Sequence, residues 1–148
     1  MGGKDRGFER LITDEYAQRV TPVILVQPKG DIIFTDPLAS NELTALYKQA
    51  LMLVHPSLYE GFNLPLLEAM HSGIPIVCSD IPANREVTDG QALFFDPRSL
   101  DSLGEAIKTL IKNKSLIKDF ARKGQENALK YTWEKSAEMT LNVYNLFT

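Results

Sequence analysis

Short apolar runs alternate along this chain with segments of helical periodicity. The clearest runs are LMLV (51–54), PIVCSD (75–80) and ALFFD (92–96), each separated from the next by a segment that can form a helix or a helical turn. Parallel strands need a crossover connection, which is usually helical, so this order predicts a parallel sheet with helices on both faces. The predicted fold class is α/β, with a Rossmann-like sheet.

The first part of the chain has less regular patterns. We expect a helix over residues 7–19 and a second helix over 41–50, with Ser40 as the N-cap of the second. The segment DIIFTD (31–36) is a short strand candidate. The run VILV (23–26) could be another strand, but flanking prolines leave its pairing open.

The rest of the chain is mostly helical. A helix follows Glu60 and ends near Gly73, and residues 83–89 form a turn or a single helical turn. Beyond this point we expect helices at roughly 99–112, 115–130 and 133–146, punctuated by Asn113, Gly124 and the YTW stretch. No repeat or linker is visible, so residues 1–148 read as one domain.

The net charge and the numbers of cysteine and histidine residues exclude several classes of function. The chain has 148 residues, 16 basic and 19 acidic side chains, and a formal charge of −3, which gives no field that would recruit nucleic acid. Cys78 is the only cysteine, so no intrachain disulfide can form, and His55 and His71 alone do not make a zinc ligand set. We therefore expect neither a nucleic-acid partner nor a bound metal.

No apolar stretch in the sequence approaches the roughly 18 residues that span a membrane. The start, MGGKDRGFERL, is too polar for a secretion signal. The single cysteine suits a reducing compartment. These features predict a cytoplasmic protein, with membrane association weak or undetermined.

The stretch HPSLYEGFNLPLLEAM (55–70) carries two glutamates at what looks like the start of a buried helix. If Asn63 caps that helix, Pro65 falls in the first turn, where its missing N–H costs little. The free amides of the turn and the helix dipole then favour an anion, and Gly61 lets a phosphate approach the backbone closely. In an open parallel sheet, ligands bind at this position beyond a strand's carboxyl end.

The second glutamate, Glu68, falls on the polar side of the same helix. A spacing of about 100° per residue places it with His71 and Ser72, beside Leu64. The opposite, apolar arc is formed by Leu66, Leu67, Ala69 and Met70. A carboxylate at this position could accept two hydrogen bonds from a sugar diol, although glutamates on such an arc are most often only solvated.

Three stretches in a fixed order are more specific than any single residue: LVHPSLYEGFNLPLLEAMHSGIPIVCSD, EVTDGQALFFDP and YTWE. In this order they resemble the C-terminal domain of the retaining, nucleotide-sugar-dependent glycosyltransferases with the two-domain GT-B fold. The group in question is glycosyltransferase family 4-like, also called group 1, and it includes bacterial mannosyl- and glucosyltransferases. The resemblance covers about residues 31–148.

The resemblance implies roles for individual residues. Glu60 would contact the donor sugar as the catalytic residue of this domain, and Glu68 would bind the ribose hydroxyls of the nucleotide. The loop whose backbone amides meet the donor sugar and diphosphate is matched by Gly61, Phe62, Asn63 and Leu64. Many relatives have glycine where this chain has Asn63, and asparagine tolerates the unusual backbone angles of such a turn.

The same resemblance implies the reaction. The full enzyme would transfer a glycosyl group from a UDP-, GDP- or ADP-sugar to an acceptor hydroxyl with retention, using no cofactor. The sequence has no Asp-x-Asp motif, which agrees with metal independence. Helix amides and basic side chains would stabilise the leaving diphosphate electrostatically.

Two segments of the family pattern have no counterpart in this sequence. The family's domain begins with a strand, a glycine-rich turn and a basic pair that neutralises the diphosphate, and an acceptor-binding domain precedes it. We therefore expect an N-terminally truncated donor-binding domain that is inactive alone. We also expect it to associate with itself through an exposed sheet edge.

Two alternatives remain open. A non-catalytic module could keep the fold and weak nucleotide affinity while serving in assembly or regulation, and a sugar-nucleotide epimerase is a further relative of the fold. Other residues have simpler interpretations: Cys78 as a buried small hydrophobe, and His55 and His71 as structural histidines. The series Lys108, Lys112, Lys114, Lys118, Arg122 and Lys123 falls largely at i, i+4 spacing, which favours a solvated helix face over a basic stripe for a membrane or partner.

Overall fold

A computed structural model describes residues 24–26 and 38–147, and all structural statements below concern these residues. They contain four strands and six helices. In chain order the elements are β1 (Ile24–Val26), α1 (Ser40–Gln49), β2 (Met52–His55), α2 (Leu64–His71), β3 (Ile76–Ser79), α3 (Pro82–Thr88), β4 (Leu93–Phe95), α4 (Leu100–Lys112), α5 (Lys114–Ala128) and α6 (Trp133–Asn145).

The four strands form one sheet in the order β1-β2-β3-β4. Strands β2, β3 and β4 are parallel, with Leu53 opposite Ile76 and Val77 opposite Leu93. This confirms the α/β, Rossmann-like prediction. Strand β1, for which the sequence left the pairing open, is antiparallel to β2, so the sheet is mixed at this edge. Three apolar residues carry no information about strand direction, because either direction allows the same burial.

Helices cover both faces of the sheet, as predicted. Strand residues such as Leu53 and Ile76 pack with α2 in one apolar cluster, which includes Leu66 and Met70. Alternate strand residues pack with α4 and α5 in a second cluster, formed by Met52, Val54, Val77, Phe95, Leu103, Ala106 and Leu110. Because β2 and β3 are buried on both sides, each begins with three consecutive apolar residues and shows no alternation before its polar last residue.

Several predicted boundaries change in the structure. Helix α1 begins at Ser40 with Ala39 as its N-cap, one residue before the predicted cap, and the Glu42 carboxylate accepts the Ala39 N–H at 3.0 Å. The segment predicted as at most one helical turn is the seven-residue helix α3. The helix predicted over 7–19 and the strand predicted over 31–36 lie outside the described residues.

Gly124 does not punctuate the last helices as predicted. It lies inside α5, where it is buried against α2, and a Cβ at this position would be 3.2 Å from Met70 Cγ. The glycine therefore allows two helices to approach closely instead of ending one of them. The predicted break at Asn113 is confirmed, because this residue separates α4 from α5 and caps α5 with its side chain.

None of the described helices is both long enough and apolar enough to cross a membrane.

Candidate functional site

The predicted site residues lie where the parallel strand β2 ends and α2 begins. Glu60 and Gly61 belong to the loop after His55, the last residue of β2, and Glu68 lies in the second turn of α2. This is the carboxyl edge of the sheet, where open α/β folds bind ligands. A Cβ on Gly61 would meet no atom within 4 Å, so the backbone there is open to an incoming group.

Asn63 occupies the N-cap position of α2 but does not cap the helix with its side chain. Its backbone is left-handed (φ 78°, ψ 68°), and its side-chain amide nitrogen donates to Asn84 Oδ1 at 2.8 Å. Asn63 thus lies at the predicted N-cap position, but the prediction that its side chain caps the helix is wrong. The side-chain amide is directed toward α3 and does not bond to the backbone N–H groups of α2. The N-terminus of α2 therefore has no side-chain cap.

Asn84 connects three elements at this edge. The residue is fully buried on α3, accepts the bond from Asn63 and donates through Nδ2 to the Ser79 carbonyl at the end of β3, at 2.9 Å. A buried pair of amides holds its partners in defined positions, since breaking either bond leaves a polar group unsatisfied. The left-handed turn before α2 is therefore held by tertiary hydrogen bonds.

Glu60 is held by a histidine from β2. His55 is buried, with 1% of its side chain exposed, and its Nε2 lies 3.0 Å from Glu60 Oε1. The Glu60 side chain is 21% exposed, so part of it still faces solvent. The predicted structural role of His55 is refined by this geometry, because the histidine orients a predicted site residue.

Glu68 has a different support. Its side chain is exposed on α2, and its Oε2 accepts a hydrogen bond from the Tyr47 hydroxyl at 3.0 Å. Tyr47 comes from α1 and is buried. Burial, followed by the charge of Glu68 and the hydrogen bond to it, raises the pKa of the Tyr47 hydroxyl well above its usual value. The phenol therefore keeps its proton at neutral pH and remains a donor.

The remaining loop residues present apolar side chains around the same edge. Phe62 and Leu64 are exposed, and the Phe62 ring packs edge-on against Tyr131 with centroids 5.7 Å apart. Leu58 and Tyr59, which precede Glu60, are also exposed. The predicted amphipathic pattern of α2 is confirmed, with Leu66, Leu67, Ala69 and Met70 buried.

Four polar atoms buried in this neighbourhood lack a hydrogen-bond partner among the described residues: His55 Nδ1, Ser57 Oγ, Asn63 Oδ1 and Ser79 Oγ. They belong to the ends of β2 and β3 and to the loop before α2. Buried polar groups are nearly always paired, and the unpaired side-chain atoms of the described residues are thus concentrated at this edge.

Sequence reasoning missed two residues of this arrangement, Tyr47 and Asn84. Tyr47 lies at helical spacing with apolar residues, which is the pattern of an ordinary core residue. Asn84 lies in a short polar stretch that gave no sign of burial. Neither position carries a local sequence signal, because each acquires its role only from a partner 21 residues away along the chain.

Two other interpretations hold in the structure. Cys78 is buried, and burial raises the pKa of its thiol to about 12, so it is an unreactive small hydrophobe at neutral pH. The basic series is exposed or half-buried, and several members form ion pairs along their own helices, including Lys108 with Glu105 and Arg122 with Glu126. These features are typical of a solvated helix face.

Within the described part of the chain, no three histidine, cysteine, aspartate or glutamate side chains are grouped so that they could hold a metal ion.

Curated proteins similar to this chain include several mannosyltransferases. "O-antigen chain mannosyltransferase B" of Escherichia coli is 34% identical over 141 residues, which are 95% of this chain and 35% of that protein. "MMP alpha-(1->4)-mannosyltransferase" of Mycolicibacterium hassiacum is 37% identical over 120 residues, or 78% of this chain and 29% of that protein. The chain thus spans about a third of the length of these relatives.

Solved structures show the same fold. The sucrose-phosphate synthase of Thermosynechococcus elongatus matches with a TM-score of 0.64 and 25% identity, over 72% of this chain and 28% of that one. The C-terminal domain of a glycosyl transferase group 1 family protein from Francisella tularensis matches with a TM-score of 0.58 and 26% identity, over 66% of this chain and 51% of that one.

The decisive match is to a family rather than to one relative. The sequence model described as "Glycosyl transferases group 1" matches residues 21–127, which include every predicted site residue. The matched range covers more than half of the chain and contains the strand, loop and helix that hold the two glutamates. This chain belongs to the glycosyl transferases of group 1 and has the fold of a GT-B C-terminal domain.

Proposed function

We propose that this chain is the donor-binding domain of a glycosyltransferase that moves a hexosyl group from a nucleotide diphosphate sugar to an acceptor hydroxyl with retention. The observation that carries the proposal is the uncapped N-terminus of α2 beside an open Gly61, with a separately supported glutamate on each side. The names of the relatives favour a mannosyl donor.

In this proposal each group has a defined task. The diphosphate lies against the backbone amides of the loop and of Leu64, at the N-terminal end of α2, where the helix dipole favours negative charge. Glu60 contacts the donor sugar, and His55 holds it in place at 3.0 Å. Glu68 accepts the ribose hydroxyls. The loop residues that complete the donor site are Gly61, Phe62, Asn63 and Leu64.

The chemistry needs stabilisation of a leaving diphosphate as its charge grows. Preorganised backbone amides provide this without reorganisation, because their dipoles already point toward the site of charge. We propose a metal-independent reaction that uses no cofactor beyond a UDP-, GDP- or ADP-sugar donor. The acceptor is bound by a separate domain of the enzyme across the cleft, and the reaction takes place in the cytoplasm.

The residue assignment is tested by nucleotide binding. We expect Glu68→Ala to weaken binding of GDP or UDP to the full-length protein by about 1 to 3 kcal/mol, because charge-assisted hydrogen bonds to the ribose are lost. Isothermal titration calorimetry measures the effect. The matched control is Glu138→Ala, which removes an exposed glutamate from α6. Equal affinities for the wild type and Glu68→Ala would remove Glu68 from the site.

The catalytic part of the proposal is tested by transfer. The full-length protein should release nucleoside diphosphate from its sugar donor when an acceptor is present, and Glu60→Ala should abolish most of that release. Tight nucleotide binding without any transfer or donor hydrolysis would instead favour the non-catalytic module. Association through an open sheet edge stays a prediction, which sedimentation velocity would check.

A further inference from the structure

Tyr47 lies near the end of α1. Its ring is in the apolar core, and its hydroxyl contacts the carboxylate of Glu68 on the surface of α2. We propose that Tyr47 is a positioning residue for nucleotide recognition, which fixes the Glu68 carboxylate in the orientation that accepts the ribose diol. This inference rests on the proposed function, since it gives Glu68 the ribose as its ligand. It assigns a role to a residue outside the loop and helix that carry the predicted site.

The geometry makes Tyr47 a rigid anchor. Only 2% of the residue is exposed, and its ring is part of the apolar cluster that includes Leu66 and Leu67 of α2. Its hydroxyl lies 3.0 Å from Glu68 Oε2 and 3.5 Å from the Pro65 carbonyl. A tyrosine ring held by core packing fixes the position of its oxygen, so the hydroxyl defines one point in space beside α2.

The partner needs such an anchor. Glu68 is exposed, and a free glutamate loses side-chain entropy when a ligand immobilises it. The bond from Tyr47 restricts the carboxylate before the ligand arrives, which lowers the entropy cost of binding. The first turn of α2 is also kept next to the same hydroxyl through Pro65.

The Glu68 carboxylate still has acceptor positions for a ligand after it binds Tyr47. A carboxylate offers about four acceptor positions on its two oxygens, and the phenol occupies one of them. Glu68 Oε1 has no hydrogen-bond partner among the described residues, so both hydroxyls of a diol can still be accepted. The raised pKa of Tyr47 keeps its hydroxyl protonated, so the phenol donates to Glu68 Oε2 and leaves the other acceptor positions of the carboxylate to the diol.

A structural role alone would also explain the contact, because the bond ties α1 to α2. The two explanations differ in what they predict for ligand selectivity. A tie between helices affects the affinity for every nucleotide equally. An anchor for the ribose carboxylate affects the preference for ribose over deoxyribose.

The test compares GDP with 2′-deoxy-GDP, or the uridine pair, in calorimetric titrations of the full-length wild type and Tyr47→Phe. The substitution keeps the buried ring and removes only the hydroxyl. We expect the wild type to prefer the ribonucleotide and Tyr47→Phe to lose about 3- to 10-fold of that preference. Tyr144→Phe, which removes a hydroxyl from the exposed face of α6, is the matched control and should keep the preference.

The failures can be told apart. An unchanged preference in Tyr47→Phe, with the wild type still selective, overturns the positioning role and leaves the proposed function intact. A wild type that binds both nucleotides equally removes the ribose from Glu68 and overturns the positioning role, while the proposed sugar transfer is still decided by the transfer assay. In a Glu68→Ala background the Tyr47→Phe change should have no further effect on selectivity, and an additional loss there would also overturn the inference.

Discussion

Helices α2 and α6 have comparable numbers of apolar residues and opposite surroundings. Four of the eight residues of α2 are buried, whereas none of the thirteen residues of α6 is. Trp133, at the start of α6, is 81% exposed, and other exposed apolar side chains on and after this helix are Met139, Leu141, Val143, Tyr144, Leu146 and Phe147. Apolar content by itself therefore does not tell which helix is packed into the described fold.

The difference follows from connectivity. Helix α2 is the crossover between the parallel neighbours β2 and β3, so the chain must lay it against the sheet. Helix α6 does not connect two described strands and has no such constraint. The sheet therefore determines where α2 lies and gives the N-terminal backbone amides of this helix a fixed position.

The C-terminus of α2 also differs from that of α6 in its capping hydrogen bonds. After α2, the Gly73 N–H donates to the Met70 carbonyl and the Ile74 N–H to the Ala69 carbonyl, with Gly73 left-handed at φ 69°. This Schellman arrangement satisfies the last carbonyls of the helix. Helix α6 ends in right-handed Leu146, without a glycine turn.

The largest expected effect comes from removing a buried side chain of α2. We predict that Leu66→Ala, at a fully buried position, lowers the free energy of unfolding by about 2 to 5 kcal/mol, because it loses apolar burial and leaves a cavity. The control Leu141→Ala on α6 should change it by less than about 0.5 kcal/mol. Urea titrations followed by circular dichroism measure both. Equal losses would show that α6 packs as tightly as α2.

A middle-sized effect is expected at the turn that ends α2. Gly73→Ala should cost about 1 kcal/mol or more, since alanine is strained at positive φ and its Cβ would come within 2.7 Å of Gln125 Nε2. Gly61→Ala is the control: it meets no atom within 4 Å and should leave stability unchanged. In the proposed site, however, Gly61→Ala should weaken nucleotide binding. A stability loss at Gly61 matching that at Gly73 would contradict the open loop.

The smallest expected effect concerns helix caps. Thr132 Oγ1 accepts the Lys135 N–H at 3.2 Å at the start of α6, and Ser99 Oγ accepts the Ser102 N–H at 3.1 Å at the start of α4. Removing the cap with Ser99→Ala should lower global stability by about 1 kcal/mol, because α4 packs into the core. Thr132→Ala should reduce helical signal locally while leaving the global transition within about 0.5 kcal/mol. Identical shifts in the two variants would mean that α6 unfolds with the core.

Much of the fold follows from local patterns. Strands β2, β3 and β4 and helices α4 to α6 were predictable within a few residues, because buried parallel strands and amphipathic helices have different periods. Strand direction at β1 was not predictable, since three apolar residues pair equally well either way. The packing role of Gly124 was not predictable, because a glycine that permits close packing has the same local sequence as one that interrupts a helix.

The candidate site likewise has some features that local sequence predicts and others that only the structure shows. The sequence placed both glutamates and the loop between them on one segment. It could not show that His55 contacts Glu60, because hydrogen-bond geometry depends on how a loop turns after a strand. It also could not bring in Tyr47 or Asn84, which lie on other helices.

By itself, then, the sequence determined the order of most strands and helices, the family and the residues of the loop that is proposed to bind the donor, since these depend on periodicity and on motifs within short stretches. The tertiary structure alone decided which groups support the two carboxylates and which apolar helix is buried. These contacts join residues that are distant in the chain and adjacent only after the sheet has formed, so their physical cause is packing.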